Sequence, residues 1–146
     1  MKAILLADIH IKLGQKNVPI DWQKNRFKML ADAVNAHSPQ LIFIAGDLLD
    51  VADPSIAEVG LLYDFLFALQ KPNLEQIVLI PGNHEMENSR VSCYRHVATM
   101  LQNKNVLLIE ETTTKYGIDF IPYGAIKSFK PTDRVSDWAI THDPLS

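Results

Sequence analysis

Residues 41–50, LIFIAGDLLD, constrain this chain more than any other stretch. Leu41, Ile42, Phe43, Ile44 and Ala45 run without a polar break, the pattern of a strand buried on both faces. Gly46 follows, a residue that lets the backbone turn sharply and approach a ligand closely. Asp47 is then delivered at the carboxyl end of the strand, where open α/β sheets bind their ligands. A Gly-Asp turn closing a strand is ordinary in itself. The sharper reading is that Asp47 bridges two metal ions, with Asp50 behind it in support.

The neighbouring segments repeat the pattern. Residues 3–7 read as a first strand, ending in Asp8-Ile9-His10, and residues 11–21 as a loop. Helical spacing of Trp22, Phe27, Leu30, Ala31 and Val34 predicts a helix over 22–36, stopped by Ser38-Pro39. Asp53-Pro54 predicts the start of a second helix, with Ile56, Val59, Leu62, Tyr63 and Leu66 on its buried face and its end near Gln70. Residues 76–80 form the next strand and run into Pro81-Gly82-Asn83-His84-Glu85. A helix over 92–102, capped by Ser92, and a strand over 105–109 follow. The alternation predicts a parallel sheet with helices packed on it. Beyond Glu111 the texture changes. Strands at 112–116, 118–122 and 138–141 have no helical spacer between the first two, so they predict a hairpin opening a second sheet.

Polar residues of one chemical kind close these strands: Asp8 and His10, Asp47, Asn83 and His84, and His142. Parallel strands put these ends along one edge. Oxygen and imidazole donors together suit manganese, iron or zinc better than calcium. Buried carboxylates and amides without partners are costly, so packing alone accounts poorly for the recurrence.

The bulk properties narrow the function classes. The 146 residues are one domain's worth, 47% hydrophobic and 21% charged, enough to bury a core. A net charge of −3 argues against a passive nucleic-acid coat. It leaves room for an enzyme that meets phosphate through bound cations. The single cysteine, Cys93, allows no internal disulfide and fits a reducing compartment. The apolar run in MKAILLADIH is too short for a signal peptide, and no stretch is long enough to span a membrane. The expectation is a cytoplasmic, soluble protein with no membrane partner.

Asp8-Ile9-His10, Gly46-Asp47 with Asp50, and Gly82-Asn83-His84-Glu85 resemble the DxH, GDxxD and GNH[DE] motifs of the calcineurin-like metallophosphoesterases. IFIAGDLLDVADPS and VLIPGNHE look most like the SbcD-type DNA-repair nucleases, phage versions included. The resemblance runs through residues 1–146 and implies one metallophosphoesterase domain, an αββα sandwich incomplete at its C-terminal side. It implies two divalent cations, Mn2+ foremost, with iron or zinc as alternatives. Asp8 and His10 would hold the first metal, Asp47 both, and Asn83 and His142 the second. His84 would face the substrate phosphate and help protonate the leaving oxygen, and Glu85 would orient His84. Two such cations clamp a phosphate and activate water for in-line hydrolysis of a phosphodiester. The family's later Gly-His-x-His motif is absent from these residues. That leaves three protein ligands for each metal, the pattern expected of a fragment or an incomplete site.

Lys12, Lys16 and Arg90 follow these motifs in loops and are candidate phosphate contacts, with solvated loop charge the alternative. His37 and His96 read as surface or capping histidines, and Trp22 and Trp138 as core. Cys93 reads as structural, and Tyr123 and Lys127 as undecided cleft residues. The resemblance also implies DNA as substrate, an SbcC-type coiled-coil ATPase as partner, and a homodimer. Two other functions stay open: a phosphoesterase for small or phosphoprotein substrates, and a non-catalytic binding domain. Nucleotide release from DNA separates the first reading from both.

Overall fold

The fold follows from β2, Leu41–Ala45, whose five residues are all buried. In the computed structural model, which describes residues 1–14, 17–88 and 91–143, β2 lies between β1 (Ala3–Leu6) and β3 (Gln76–Ile80). With β4 (Val106–Leu108) they make a four-stranded parallel sheet in the order β1-β2-β3-β4. The two faces of β2 divide cleanly. Ile42 and Ile44 point at α1 (Ile20–Asn35) and α2 (Ile56–Ala68), packing with Phe27, Ala31, Val34, Leu62, Phe65 and Leu66. Leu41, Phe43 and Ala45 point the other way and pack with Val78, Ile80, Ile109 and Phe120. The period-two alternation of a strand thus feeds two separate cores.

The second core is closed by a three-stranded sheet, β5 (Thr113–Lys115), β6 (Ile118–Ile121) and β7 (Trp138–Thr141). β5 and β6 form the expected antiparallel hairpin, and β7 joins β6 in parallel. Between them lie a short helix, α4 (Tyr123–Ile126), and a 3-10 turn, Pro131–Asp133, neither of which the apolar spacing signalled. The layers are therefore helix, sheet, sheet, the mixed α/β arrangement expected, with the longer helices all on the first sheet. Asp119 anchors the return to β7. It accepts from Thr114 Oγ1 at 2.6 Å and from the amides of Val135 and Ser136 at 2.9 and 3.0 Å.

Several expectations need correction. The second helix starts at Ile56, capped by Ser55 and not by Asp53. Ser55 Oγ accepts from Glu58 N at 3.1 Å, and Glu58 Oε1 accepts from Ser55 N at 2.9 Å. This reciprocal pair satisfies two helix-end donors, which Asp53-Pro54 cannot match from two residues upstream. That register turns Ile56 (93% exposed) and Tyr63 (40%) outward. Trp22 and Trp138 are not core: they are 56% and 75% exposed. The inward stripe of α1 is Gln23, Phe27, Ala31 and Val34, so Trp22 falls one residue off it. Trp138 opens a strand paired on one side only. The helix expected over 92–102 is a 3-10 segment, Cys93–Val97, followed by α3, Ala98–Asn103.

Candidate metal centre

Past their last paired residues, β1 and β2 stay zipped together. His10 N donates to Asp47 O at 2.9 Å, Ile11 N to Leu48 O at 2.8 Å and Asp50 N back to Ile11 O at 3.2 Å. Asp8, His10 and Asp47 all adopt left-handed backbone, with φ of 53°, 52° and 52°. Asp and His are among the few side chains that enter this region readily. These turns aim the three side chains at one point.

Asp47, 2% exposed, is the centre of the cluster. Its Oδ2 lies 3.8 Å from His10 Nε2, 3.8 Å from His84 Nε2 and 3.3 Å from His142 Nε2. Asp8 Oδ1 lies 3.7 Å from His10 Nε2, and Asn83 Oδ1 lies 3.0 Å from His142 Nε2. Two donors each about 2.1 Å from one cation, set at roughly tetrahedral to octahedral angles, stand about 3.0–3.4 Å apart. The spacing is close to that, slightly open. Asp8, His10 and Asp47 form one three-donor group; His10, Asp50 and His84 form another.

The orientation of the rings decides what the cluster can hold. His142 Nδ1 lies 2.9 Å from the Ala45 carbonyl and His84 Nδ1 lies 2.7 Å from the Asp50 carbonyl. Carbonyls only accept, so both Nδ1 atoms carry protons, which leaves each inward Nε2 to offer a lone pair in the neutral ring or a proton in the doubly protonated one. His10 Nδ1 meets Asp50 Oδ1 at 3.0 Å, the carboxylate that sets the tautomer of a metal-binding imidazole. Around Asp47, carboxylate, amide and imidazole acceptors thus face one another. A positive charge is what reconciles them, and the donor set fits divalent cations. The centre opens into a cleft of about 550 Å³, also lined by Leu5, Thr141 and Asp143.

Two glycines make room for this. A Cβ on Gly46, whose φ is +80°, would stand 2.4 Å from His142 Cγ. A Cβ on Gly82 would stand 2.1 Å from Asp47 Oδ1. The close approach at Gly46 is thus to the His142 ring.

A match to the calcineurin-like phosphoesterase family extends over residues 1–142. The chain belongs to that family. It is 38% identical to a probable exonuclease subunit 1 of Escherichia phage T5, over 97% of this chain and 45% of that protein. Its fold resembles a Pseudomonas putida nuclease, MPE, with a TM-score of 0.51 at 21% identity, over 81% of this chain and 52% of that one. The chain therefore spans about half the length of the relatives it matches. Calcineurin-like phosphoesterases use divalent metals, and the phosphoesterase motifs of this chain meet in the cluster just described.

Not every residue singled out in the sequence lies where expected. Glu85 does not touch the His84 ring; that ring is oriented by the Asp50 carbonyl. Glu85 is wholly buried and takes backbone amides instead: Gly82 at 2.7 Å and Asp47 at 3.1 Å on Oε2, Leu49 at 2.8 Å on Oε1. Tyr94 donates its hydroxyl to the same Oε1. Burial pushes the Glu85 carboxyl above the ordinary range, against the pull of these donors. Asp50, beyond holding His10, accepts Lys12 Nζ on Oδ2 at 2.8 Å. Partial burial works to raise the Asp50 carboxyl, but Lys12, together with His10 and His84, outweighs it and holds it below its usual value.

Lys12 thus points at Asp50, and does not line the cleft. Lys16 and Arg90 lie outside the described residues. His96 pairs with Glu87 at 2.6 Å, and His37 is exposed at the end of α1. Cys93 is buried, which pushes its thiol up to about 12. Tyr123 and Lys127 are not among the cleft residues. Tyr94 is what sequence reasoning missed. Its signal is indirect: a buried phenol needs a partner for its hydroxyl. Among the described residues, no helix is long and apolar enough to cross a membrane.

Proposed function

We propose that residues 1–146 are a metallophosphoesterase domain of a DNA nuclease that hydrolyses phosphodiesters with two divalent cations, Mn2+ foremost. One observation carries the reading: three imidazole Nε2 atoms and the Asp8 and Asn83 oxygens gather about the buried carboxylate of Asp47. Asp8 and His10 would hold the first cation, Asn83 and His142 the second, and Asp47 both. When bound, such a pair supplies charge neutralisation at the phosphate and activation of water.

The protein's own groups do the rest. Asp50 keeps the proton of His10 on Nδ1, and the Ala45 carbonyl does the same for His142, so each presents a lone pair inward. His84 is the natural proton donor to the leaving oxygen. Its Nδ1 is tied to the Asp50 carbonyl, and its half-exposed ring carries Nε2 into the cleft.

The nuclease assignment is supported by the phage T5 relative, described as a probable exonuclease subunit. The word subunit supports a partner, for which we propose an SbcC-type coiled-coil ATPase, alongside a second copy of this protein. A repair role and a cytoplasmic location complete the proposal.

The test is to titrate Mn2+ into the protein by calorimetry and then offer end-labelled duplex and single-stranded DNA. Two ions per chain and Mn2+-dependent release of nucleotides are expected. Turnover of small phosphoesters alone would move the substrate class. Metal uptake with no turnover of either would make this a binding domain.

A further inference from the structure

We propose that Tyr94 is a positioning residue for the metal centre: acting through Glu85, it fixes the Asp47 carboxylate that the cations share. The inference rests on the metal reading of Asp47 given above. It adds a residue outside every motif that led to that reading.

Glu85 is a wholly buried carboxylate without a cation against it among its hydrogen-bond partners. It is held by four donors. Three are backbone amides, and they belong to the two turns that form the centre: Gly82 from the turn after β3, Asp47 and Leu49 from the turn after β2. Glu85 is therefore the clasp between those turns. It acts on the peptide N–H of Asp47, whose left-handed backbone determines where its carboxylate points. The fourth donor is the Tyr94 hydroxyl, the only side-chain group among them.

Tyr94 is fully buried in the 3-10 segment Cys93–Val97, within the same core as Leu48 and Leu49. Its ring is locked by packing, so its hydroxyl reaches Glu85 from a fixed direction. Without that hydroxyl, Oε1 keeps a single donor, Leu49 N at 2.8 Å. The carboxylate is then held by three amides and by no rigid side chain, so its orientation is less tightly fixed, and the bonds that Oε2 accepts from the two turns loosen with it. Asp47 is shared, so loosening its turn affects both cations at once. Partners bonded directly to metal ligands typically contribute about 10–100-fold to metal affinity, and Tyr94, one bond further out, belongs at the low end of that range.

The test is Tyr94→Phe, which removes one oxygen and keeps the ring. Val34→Ala serves as a control. It opens a cavity at the last turn of α1, at the end of the sheet away from the strand termini that carry the ligands. Metal-free samples are melted by circular dichroism and titrated with Mn2+ well below their melting temperatures. Tyr94→Phe is expected to lose about tenfold or more in Mn2+ affinity. Val34→Ala should melt earlier yet bind Mn2+ as the parent does. A purely structural Tyr94 would behave like Val34→Ala, and that result overturns the proposal while leaving the metal reading standing. No uptake of Mn2+ by the parent protein would overturn the metal reading itself, and Tyr94's role with it.

Discussion

Replacing Gly82 with alanine places one methyl group against the buried Asp47 carboxylate, and its effect can be worked out from the contacts. The backbone at Gly82 is extended (φ −95°, ψ −175°), a conformation any residue adopts, so the cost is purely one of contact. The added Cβ would stand 2.1 Å from Asp47 Oδ1, 2.6 Å from Asp47 N and 2.8 Å from Asp47 Cγ, where ordinary contact begins at 3.4 Å. The carboxylate oxygen must yield about 1.3 Å, and because Asp47 N also lies too close, one of the two turns must shift as well and strain the bonds that Glu85 accepts from them. Overpacking of this kind costs about 1–3 kcal/mol. For a chain of this length that lowers the melting temperature by roughly 3–10 °C. Metal binding suffers more, because a ligand oxygen normally held about 2.1 Å from its cation cannot be displaced by half that distance and still bind. Gly82→Ala should therefore lose about 100-fold or more in Mn2+ affinity while remaining folded. Calorimetric titration of Mn2+, paired with thermal melts of the metal-free protein, reads both. A Gly82→Ala protein that takes up Mn2+ as tightly as its parent would refute the placement of Asp47 at the centre.

Other substitutions probe separate links. Gly60→Ala, in the exposed interior of α2 with nothing within 4 Å of the new methyl, should stabilise the protein by about 0.5–1 kcal/mol, read as a higher denaturation midpoint. His84→Ala should cut Mn2+-dependent turnover by about 100-fold or more and leave Mn2+ affinity close to the parent's; loss of both would mean that the ring is a ligand. Lys12→Met should lower kcat severalfold through Asp50 and His10 with KM unchanged, whereas a rise in KM alone would restore Lys12 to the phosphate. Asp119 is held below its ordinary carboxylate value by the Thr114 hydroxyl first and the Ser136 and Val135 amides next, against the effect of burial. A depressed carboxyl contributes stability above its unfolded value near 3.8 and loses it as pH falls through the lower folded value. Asp119→Asn should thus melt earlier than the parent at pH 7, and the gap should close in acid; a gap that persists there would mean that the charge is irrelevant.

The sequence is most readable where one residue's environment depends on its immediate neighbours. β2 is legible because an unbroken apolar run has few ways to be satisfied, and it lands at residues 41–45 as expected. Asp8, His10, Asp47 and Asn83 are legible as a group because the parallel strands β1, β2 and β3 bring their ends together whatever the loops do, whereas His142 arrives from β7 in the other sheet. Legibility fails where a partner is chosen in space. Asp53-Pro54 is a sound helix start in isolation, but Glu58 can return the bond to Ser55 and not to Asp53. Trp22 fits a helical stripe, yet the stripe that faces the sheet is one residue away and includes Gln23. Glu85 adjoins His84 in sequence, but its carboxylate turns inward to three amides and a phenol. Nothing within a few residues of Glu85 announces Tyr94.

Asp8, His10 and Asp47 each combine a candidate ligand side chain with a backbone turn that few residues tolerate. Lengthening Asp to Glu would move the oxygen outward and burden the turn at the same moment, and a β-branched replacement would resist the turn altogether. Glycine and asparagine sit comfortably there, but neither brings a negative charge. Such a centre is easy for drift to silence and hard for drift to retune. Among the candidate ligands, Asn83 and His142, supplied by β3 and β7, carry no such turn, so substitution is least constrained there.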